Sequence, residues 1–266
     1  MARALLVALV LLTCGTLYLF LAKIWWMPTL ASVSGAAVDR EFSATLLILG
    51  VVFVLAQVAL GAFVWTFRRS KQAGYSTGHR GAEIIWTVIT AVIFIALSLA
   101  GERTWAELRT PQAAAEQDVQ VEVTGTQFAW YFRYPGPDGK FGKTIATNVD
   151  ASLGSASAIG LDTSDPASKD DMVTAVLVVP ANRDVRLRLH AQDVIHSFFV
   201  PELRPKQDAV PGLNVEAHFK ANKLGEYEIV CAELCGLGHY RMHAALRIVS
   251  EDEYSQWVRQ QNGAAR

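Results

Sequence analysis

Three long stretches without a charged residue constrain this chain more than any other feature of its sequence. They cover residues 4–22, 42–67 and 84–101, although charged residues make up 18% of the whole chain. A helix needs about 20 apolar residues to cross the hydrocarbon core of a bilayer, within a range of about 17–25. The second and third stretches therefore predict two membrane-spanning helices, because their length disfavours a buried hairpin of a soluble protein.

The loop between these two stretches predicts how the helices are oriented. Residues 68–80 carry three arginines and one lysine but no acidic residue. Short loops rich in Lys and Arg remain on the cytoplasmic side of a membrane. We therefore expect a transmembrane helical hairpin over residues 42–101, with its loop inside and the rest of the chain after Gly101 outside.

The first uncharged stretch allows two interpretations. Arg3 gives residues 1–22 a short basic start, and the apolar run extends as far as Lys23. A secretory signal peptide has the same order of features, but its apolar region is usually about 7–15 residues long. Residues 1–22 are therefore either a signal peptide or an extra transmembrane helix.

From about residue 117, short strand-like runs replace the apolar stretches. The run VQVEVTGT alternates in polarity, and later runs are separated by Pro, Gly, Asn and Asp. Several short strands divided by turn residues are typical of an antiparallel sandwich or barrel. Residues 136–171, rich in Gly, Ser, Ala and Asp, predict a long surface excursion. Ser250 followed by Glu253 predicts a capped helix over residues 251–266.

One short segment holds most of the residues that suggest chemistry. Residues 231–243 are CAELCGLGHYRMH, which includes two of the three cysteines of the chain. Three cysteines are too few for a disulfide framework. A single disulfide on an oxidising side and a zinc site are both possible interpretations, but neither uses the methionine.

Copper accounts for more of this segment, because thiolate, thioether and imidazole ligands all suit it. Cys235, His239 and Met242 follow one another in the loop, and His196 in DVIHSFFVP is placed at the end of an earlier strand. Such a set is typical of a blue-copper site on a β-sandwich. The additional Cys231 allows two thiolates to bridge two copper ions, and the carbonyl of the glutamate between the cysteines is placed to complete the set.

The pattern C-x-E-x-C-x-x-x-H-x-x-M, preceded by D-V-I-H-S, resembles the dinuclear copper centre, CuA, of subunit II of cytochrome c oxidase. The resemblance extends over nearly the whole chain. It implies a membrane-anchored all-β protein of the bacterial cytoplasmic (inner) membrane, in which the helical hairpin precedes a cupredoxin-like Greek-key β-sandwich over residues 117–250. The copper ligands that it implies are His196, Cys231, Glu233 through its carbonyl, Cys235, His239 and Met242.

The resemblance implies further roles. The Glu233 carboxylate would reach a Mg ion at the interface with subunit I, and Asp208 in QDAVPG takes the acidic position of the family. Glu83 in EIIWT matches a carboxylate at the cytoplasmic mouth of a proton path, although the helix dipole alone also favours an acid there. The segment TGTQFAWYFRY corresponds to an aromatic stretch of the family. In better-known members the residue after its Gln is a Trp, which receives the electrons. Here Phe128 replaces it, and Trp130 lies two residues further on.

The implied function is electron uptake in a terminal oxidase. The chain would accept electrons from a cytochrome c-type donor and pass them to the haems of subunit I, where oxygen is reduced to water and protons are translocated. No haem is expected on this chain, which lacks C-x-x-C-H. Two alternatives are the CuA subunit of a haem-copper nitric oxide reductase and a membrane-anchored copper-binding protein. The net charge of −1 argues against a nucleic-acid partner.

Overall fold

The helices come first in the chain. The structure is a computed structural model that describes residues 2–23, 27–70, 72, 74–75, 77–109 and 117–264. Three of the described helices are long and apolar enough to cross a membrane, and these are α1 (Ala2–Leu21), α2 (Gly35–Phe67) and α3 (Arg80–Arg109). The helix α1 agrees with both interpretations of residues 1–22. The helices α2 and α3 contain the two stretches of the expected hairpin and extend beyond their outer ends.

The chain divides into two compact units. One unit consists of residues 1–26 and 37–105, and it contains α1 and most of α2 and α3. The other, which we call the β unit, contains Met27–Ala36 and everything from Ala106 onward. The β unit thus includes residues on either side of the helical hairpin as well as the strands expected after residue 117.

Ten strands in two five-stranded sheets form the β unit. They are β1 (Val119–Thr126), β2 (Ala129–Tyr134), β3 (Met172–Thr174), β4 (Val176–Pro180), β5 (Asp184–Ala191), β6 (His196–Phe199), β7 (Lys206–Ala209), β8 (Val215–Lys220), β9 (Gly225–Cys231) and β10 (His243–Val249). The strand order is β3-β2-β1-β5-β8 in one sheet and β4-β10-β9-β6-β7 in the other. Neighbouring strands are antiparallel except for β1 with β5 and β4 with β10, which are parallel. The predicted β-sandwich is confirmed.

The alternating polarity of the strands creates the core between the sheets. In β1 every second side chain, including Val121 and Val123, is buried, because successive side chains of a strand point to opposite faces. Leu187 and Leu189 of β5 lie beside them, and Leu246 of β10 comes from the other sheet. Burying each such side chain stabilises the fold by about 1.5–3 kcal/mol.

The predicted excursion joins β2 to β3 and contains one short α-helix, α4 (Ser155–Ala158), and three single turns of 3-10 helix. Arg133 of β2 ties it to the sheet, since its guanidinium pairs with Glu122 of β1 and lies 3.2 Å from Asp171 at the other end of the excursion. The same guanidinium donates to the Gly142 carbonyl at 2.7 Å. Burial raises the pKa of Asp171 to about 6, against the opposing effects of the Gly142 N–H and Arg133.

Residues 27–36, which we call the strap, cover the edge of the first sheet beside β8. Val33 N–H donates to the Lys220 carbonyl at 2.9 Å, and Asn222 N–H donates to the Ala31 carbonyl at 3.0 Å. Ser32 is fully buried, and its hydroxyl donates to the Leu203 carbonyl at 2.7 Å. An uncovered edge strand would present unpaired backbone groups to other chains. The strap therefore pairs part of an edge that the ten strands leave open.

The last described element is α5 (Glu251–Ala264), which follows β10 and matches the helix expected over residues 251–266 except for residues 265–266, which lie outside the described residues. The predicted capping box is confirmed, since Glu253 N–H donates to the Ser250 hydroxyl at 3.3 Å and Ser250 N–H donates to the Glu253 carboxylate at 2.9 Å. Trp257 of this helix meets Tyr134 of β2 edge to face, with ring centroids 5.0 Å apart. The terminal helix is thus packed onto the sandwich.

Tyr134 provides a test of the core. Its buried hydroxyl donates to the Val178 carbonyl at 2.8 Å and accepts from the Val178 N–H at 2.7 Å. We expect Tyr134→Phe to lower the free energy of unfolding by about 1–3 kcal/mol, because both backbone groups lose their partner inside the protein. Thermal unfolding followed by near-UV circular dichroism measures the loss. The control is Tyr131→Phe in the same strand, and equal losses in the two variants would contradict the account.

Candidate metal centre

The loop between β9 and β10 positions most of the candidate ligands. Cys231 ends β9, and its N–H donates to the Met242 carbonyl at 3.1 Å, which closes the loop. A short helical turn over His239–Arg241 brings Met242 back toward the strand, with its N–H donating to the His239 carbonyl at 3.1 Å. Gly236 adopts a φ of +133°, a conformation that side chains other than glycine rarely take. The loop is therefore compact, and it returns its donor groups to one end of the sandwich.

Cys231 forms one side of the centre. Its sulfur lies 3.9 Å from His196 Nδ1 and 3.2 Å from the Glu233 carbonyl oxygen. The Cys235 sulfur is 3.9 Å away, and both cysteines are free thiols. A disulfide bond would be about 2.05 Å long, so this spacing leaves room for a metal ion between the sulfurs.

Cys235 forms the other side. Its sulfur lies 3.6 Å from His239 Nδ1 and 3.7 Å from the Met242 thioether. Burial, and then the neighbouring Cys231, raise the pKa of Cys235 to about 11. A metal ion must therefore displace protons when it binds the thiols. All six predicted ligands lie together, and the soft sulfur and imidazole donors fit copper, whereas methionine is not a usual ligand of structural zinc.

Two residues that the sequence did not assign to the site hold these ligands in place. Asp193 Oδ1 lies 2.8 Å from His196 Nε2, so the other ring nitrogen faces Cys231. Asp193 Oδ2 accepts from the Gln127 N–H at 2.7 Å, and the Gln127 side chain donates to the Cys235 carbonyl. Burial alone would raise the pKa of Asp193, but hydrogen bonds from Gln127, His196 and Val194 bring it below its usual value. The sequence does contain a signal for Asp193, because this residue stands three positions before the predicted ligand His196 in D-V-I-H.

The two aromatic candidates for electron uptake occupy different environments. Phe128 lies between β1 and β2 and is 37% exposed, and its ring lies against Gly238 of the metal loop. Trp130 is fully buried in the core, with its ring edge toward His196 at a centroid distance of 5.9 Å. Phe128 is thus the surface residue of the pair, while Trp130 packs against a candidate ligand.

The acidic candidates are divided between the two units. The exposed Glu233 carboxylate lies 4.0 Å from the Lys206 ammonium, which is also 3.6 Å from Asp208. The Mg role expected of Glu233 stays a prediction, and one exposed carboxylate is enough for it, because a Mg ion is usually held by only one or two protein carboxylates. Glu83 lies in the first turn of α3, in the helical unit, and its N–H donates to the His79 carbonyl at 3.1 Å. Glu83 and the metal ligands therefore belong to different units of the chain.

Comparisons with known proteins match both units. The family model "Cytochrome C oxidase subunit II, periplasmic domain" matches residues 119–249, and the corresponding transmembrane-domain model matches residues 22–101. The "Alternative cytochrome c oxidase subunit 2" of Bradyrhizobium diazoefficiens is 32% identical over 95% of this chain and 90% of its own length. Cytochrome c oxidase subunit 2 of Cereibacter sphaeroides is 31% identical over 82% of this chain and 74% of its own. The crystal structure of the periplasmic domain of subunit II of cytochrome oxidase from Bradyrhizobium japonicum covers 57% of this chain and 99% of that chain, with 31% identity and a TM-score of 0.41.

Packing between Phe128 and the metal loop can be tested at Gly238. A Cβ atom added to Gly238 would lie 2.6 Å from Cγ of Phe128, so the ring or the loop must move. We expect Gly238→Ala to destabilise the protein by about 1–3 kcal/mol and to weaken copper retention. Adding Phe128→Ala should restore part of both losses, because the two residues are in contact.

The control for this pair is Leu237→Ala, since Leu237 is the exposed neighbour of Gly238 in the same loop. Thermal unfolding and copper content after gel filtration measure the four variants. Purely additive losses in Gly238→Ala and Phe128→Ala would contradict the packing account.

Proposed function

The chain belongs to the cytochrome c oxidase subunit II family, and on that premise we propose that it is the electron-accepting subunit of a terminal oxidase. As a member of that family it is part of an oxidoreductase complex. The observation that carries the proposal is the pair of free thiols, Cys231 and Cys235, with an imidazole nitrogen beside each sulfur. In this proposal the six donors bind a dinuclear copper centre, CuA.

A copper pair held by these donors would supply one-electron transfer. The chain itself fixes the donors and shields the two sulfurs, His196 and Met242 from water. His196 and Met242 are almost completely buried, and Asp193 and Gln127 hold His196 and the Cys235 carbonyl from outside. Residues that orient the ligands in this way keep their geometry constant. Little rearrangement is then required when an electron arrives or leaves.

We place electron uptake at Phe128 because it combines surface exposure with contact to the metal loop. The donor in this proposal is a cytochrome c-type carrier. Trp130 supports His196 from the core. Electrons continue to the haems of subunit I, which reduce oxygen to water, and the Glu233 carboxylate contributes to a Mg ion at the interface with that subunit.

The helical hairpin fits a bacterial cytoplasmic membrane with the β unit on the periplasmic side. The strap before α2 and the last turn of α3 both belong to the β unit, so both outer ends of the hairpin lead into it. The connecting residues 68–80 are basic, as expected of a cytoplasmic loop. Glu83 follows this loop, and we propose that its carboxylate takes up protons on the cytoplasmic side for subunit I.

Copper loading tests the proposed centre. The purified chain loaded with copper should be purple and give an electron paramagnetic resonance spectrum in which both copper nuclei share one unpaired electron. Cys231→Ser should abolish this mixed-valence signal, because only one bridging sulfur is left. The matched control is Cys14→Ser, the exposed cysteine of α1, which should leave the spectrum unchanged. A mononuclear signal from the unmodified chain would contradict the proposal.

Proton uptake is tested at Glu83. In the intact oxidase, we expect Glu83→Gln to slow turnover by about tenfold or more while the copper signal is unchanged, because a group that transfers protons is lost. Glu102→Gln, near the opposite end of α3, serves as the control and should retain full turnover. Oxygen consumption at saturating donor measures the effect, and normal turnover of the Glu83 variant would remove this residue from the proton path.

A further inference from the structure

Exposed apolar side chains surround the metal loop. Leu237 is 99% exposed and Tyr240 is 74% exposed, although both lie within two residues of His239. Scattered exposed apolar residues are normal, but a concentrated group marks an interaction site. We call this group the apolar rim, and it consists of Phe128, Val194, Ile195, Leu234, Leu237 and Tyr240.

Contacts in the structure connect the parts of the rim that are distant in sequence. The ring of Phe128 lies against the backbone on both sides of Leu237, at Gly236 and Gly238. Asp193 joins the β5–β6 loop to the same place, since it accepts from the Gln127 N–H at 2.7 Å and from the Val194 N–H at 2.7 Å. The rim is therefore one surface that faces outward around the ligands.

The charged groups beside the rim have partners within the protein. The carboxylate of Asp193 accepts hydrogen bonds from two backbone N–H groups and contacts His196. The Arg241 guanidinium lies over the ring of Tyr240, 5.1 Å from its centroid. The Glu233 carboxylate lies 4.0 Å from the Lys206 ammonium. Asp208 also lies 3.6 Å from the Lys206 ammonium, so three anions stand against two cations beside the rim. The net charge of these five groups is one negative unit, which gives only a weak attraction for a charged partner.

We propose that the electron donor binds the apolar rim through an uncharged, apolar face around its own redox group, and that charge attraction contributes little to binding. This inference rests on the proposed function, because it assumes that electrons arrive at the copper centre. Electrostatic steering accelerates association and falls steeply as salt is added, whereas burial of apolar surface does not depend on screening. The rim therefore gives a donor reaction whose rate is nearly independent of ionic strength.

The competing site for electrostatic docking is the excursion between β2 and β3. Asp150 and Asp162 are exposed there, and each accepts hydrogen bonds from a nearby serine. Gln192 donates to the Ala158 carbonyl at 2.9 Å, so the excursion approaches the β5–β6 loop. Variants that neutralise either of these two carboxylates therefore serve as matched controls for variants of the rim.

The test uses the intact oxidase and mitochondrial cytochrome c, whose haem edge is surrounded by lysines, as the probe that most favours electrostatic docking. We expect the second-order rate of its oxidation to change by less than about twofold between about 10 and 200 mM salt. Leu237→Glu and Leu237→Lys should both lower that rate by about tenfold or more, because either charge must be desolvated at a central contact. Asp150→Asn and Asp162→Asn should leave it unchanged.

The effect of the two opposite charges introduced at Leu237 distinguishes apolar docking from electrostatic docking. A faster reaction in Leu237→Glu with a slower one in Leu237→Lys, or a steep fall of the rate with salt, would overturn the inference. All variants must retain the mixed-valence copper signal and the rate obtained with a small uncharged reductant, which excludes misassembly. A missing copper signal in the unmodified oxidase would instead refute the proposed function.

Discussion

The hydrogen bond from the Cys231 N–H to the Met242 carbonyl, 3.1 Å long, closes the loop on which the candidate metal centre depends. It fixes where β9 ends and where β10 begins, so the donors between them return to a single place. The two sulfurs lie 3.9 Å apart without a disulfide bond. His196 arrives from β6 in the same sheet as β9 and β10, so its position relative to the thiols is set by the strand order. The centre is thus a product of sheet topology and one short loop.

A second level of support surrounds the ligands. Asp193 and Gln127 connect the turn after β1, the β5–β6 loop and the metal loop through three hydrogen bonds. The turn after β1 belongs to the other sheet, so these bonds join the two sheets at the end that carries the donors. Partners of this kind hold ligands in one orientation and limit their movement during electron transfer. The same turn presents Phe128 at the surface, so the proposed site of electron uptake is connected to the ligand support.

Features with a strong local pattern were predictable from the sequence. The uncharged stretches match α2 and α3, and the Ser250–Glu253 capping box forms as expected. The closeness of Cys231, Cys235, His239 and Met242 could also be predicted, because a pattern within one loop needs only that the loop folds back on itself. His196 joins them only through the order of the strands. That these residues bind copper stays a prediction. The strap was not predictable, since residues 27–36 show neither strand alternation nor helical periodicity, and their pairing partners are nearly two hundred residues away. The support from Gln127 likewise depends on a contact between distant turns.

Crystallography with anomalous scattering at the copper absorption edge tests the central claim most directly. The chain loaded with copper should show two anomalous peaks, both within bonding distance of the sulfurs of Cys231 and Cys235, with His196 and His239 on opposite sides. A single peak at this place, or copper bound elsewhere with a disulfide between the two cysteines, would contradict the account.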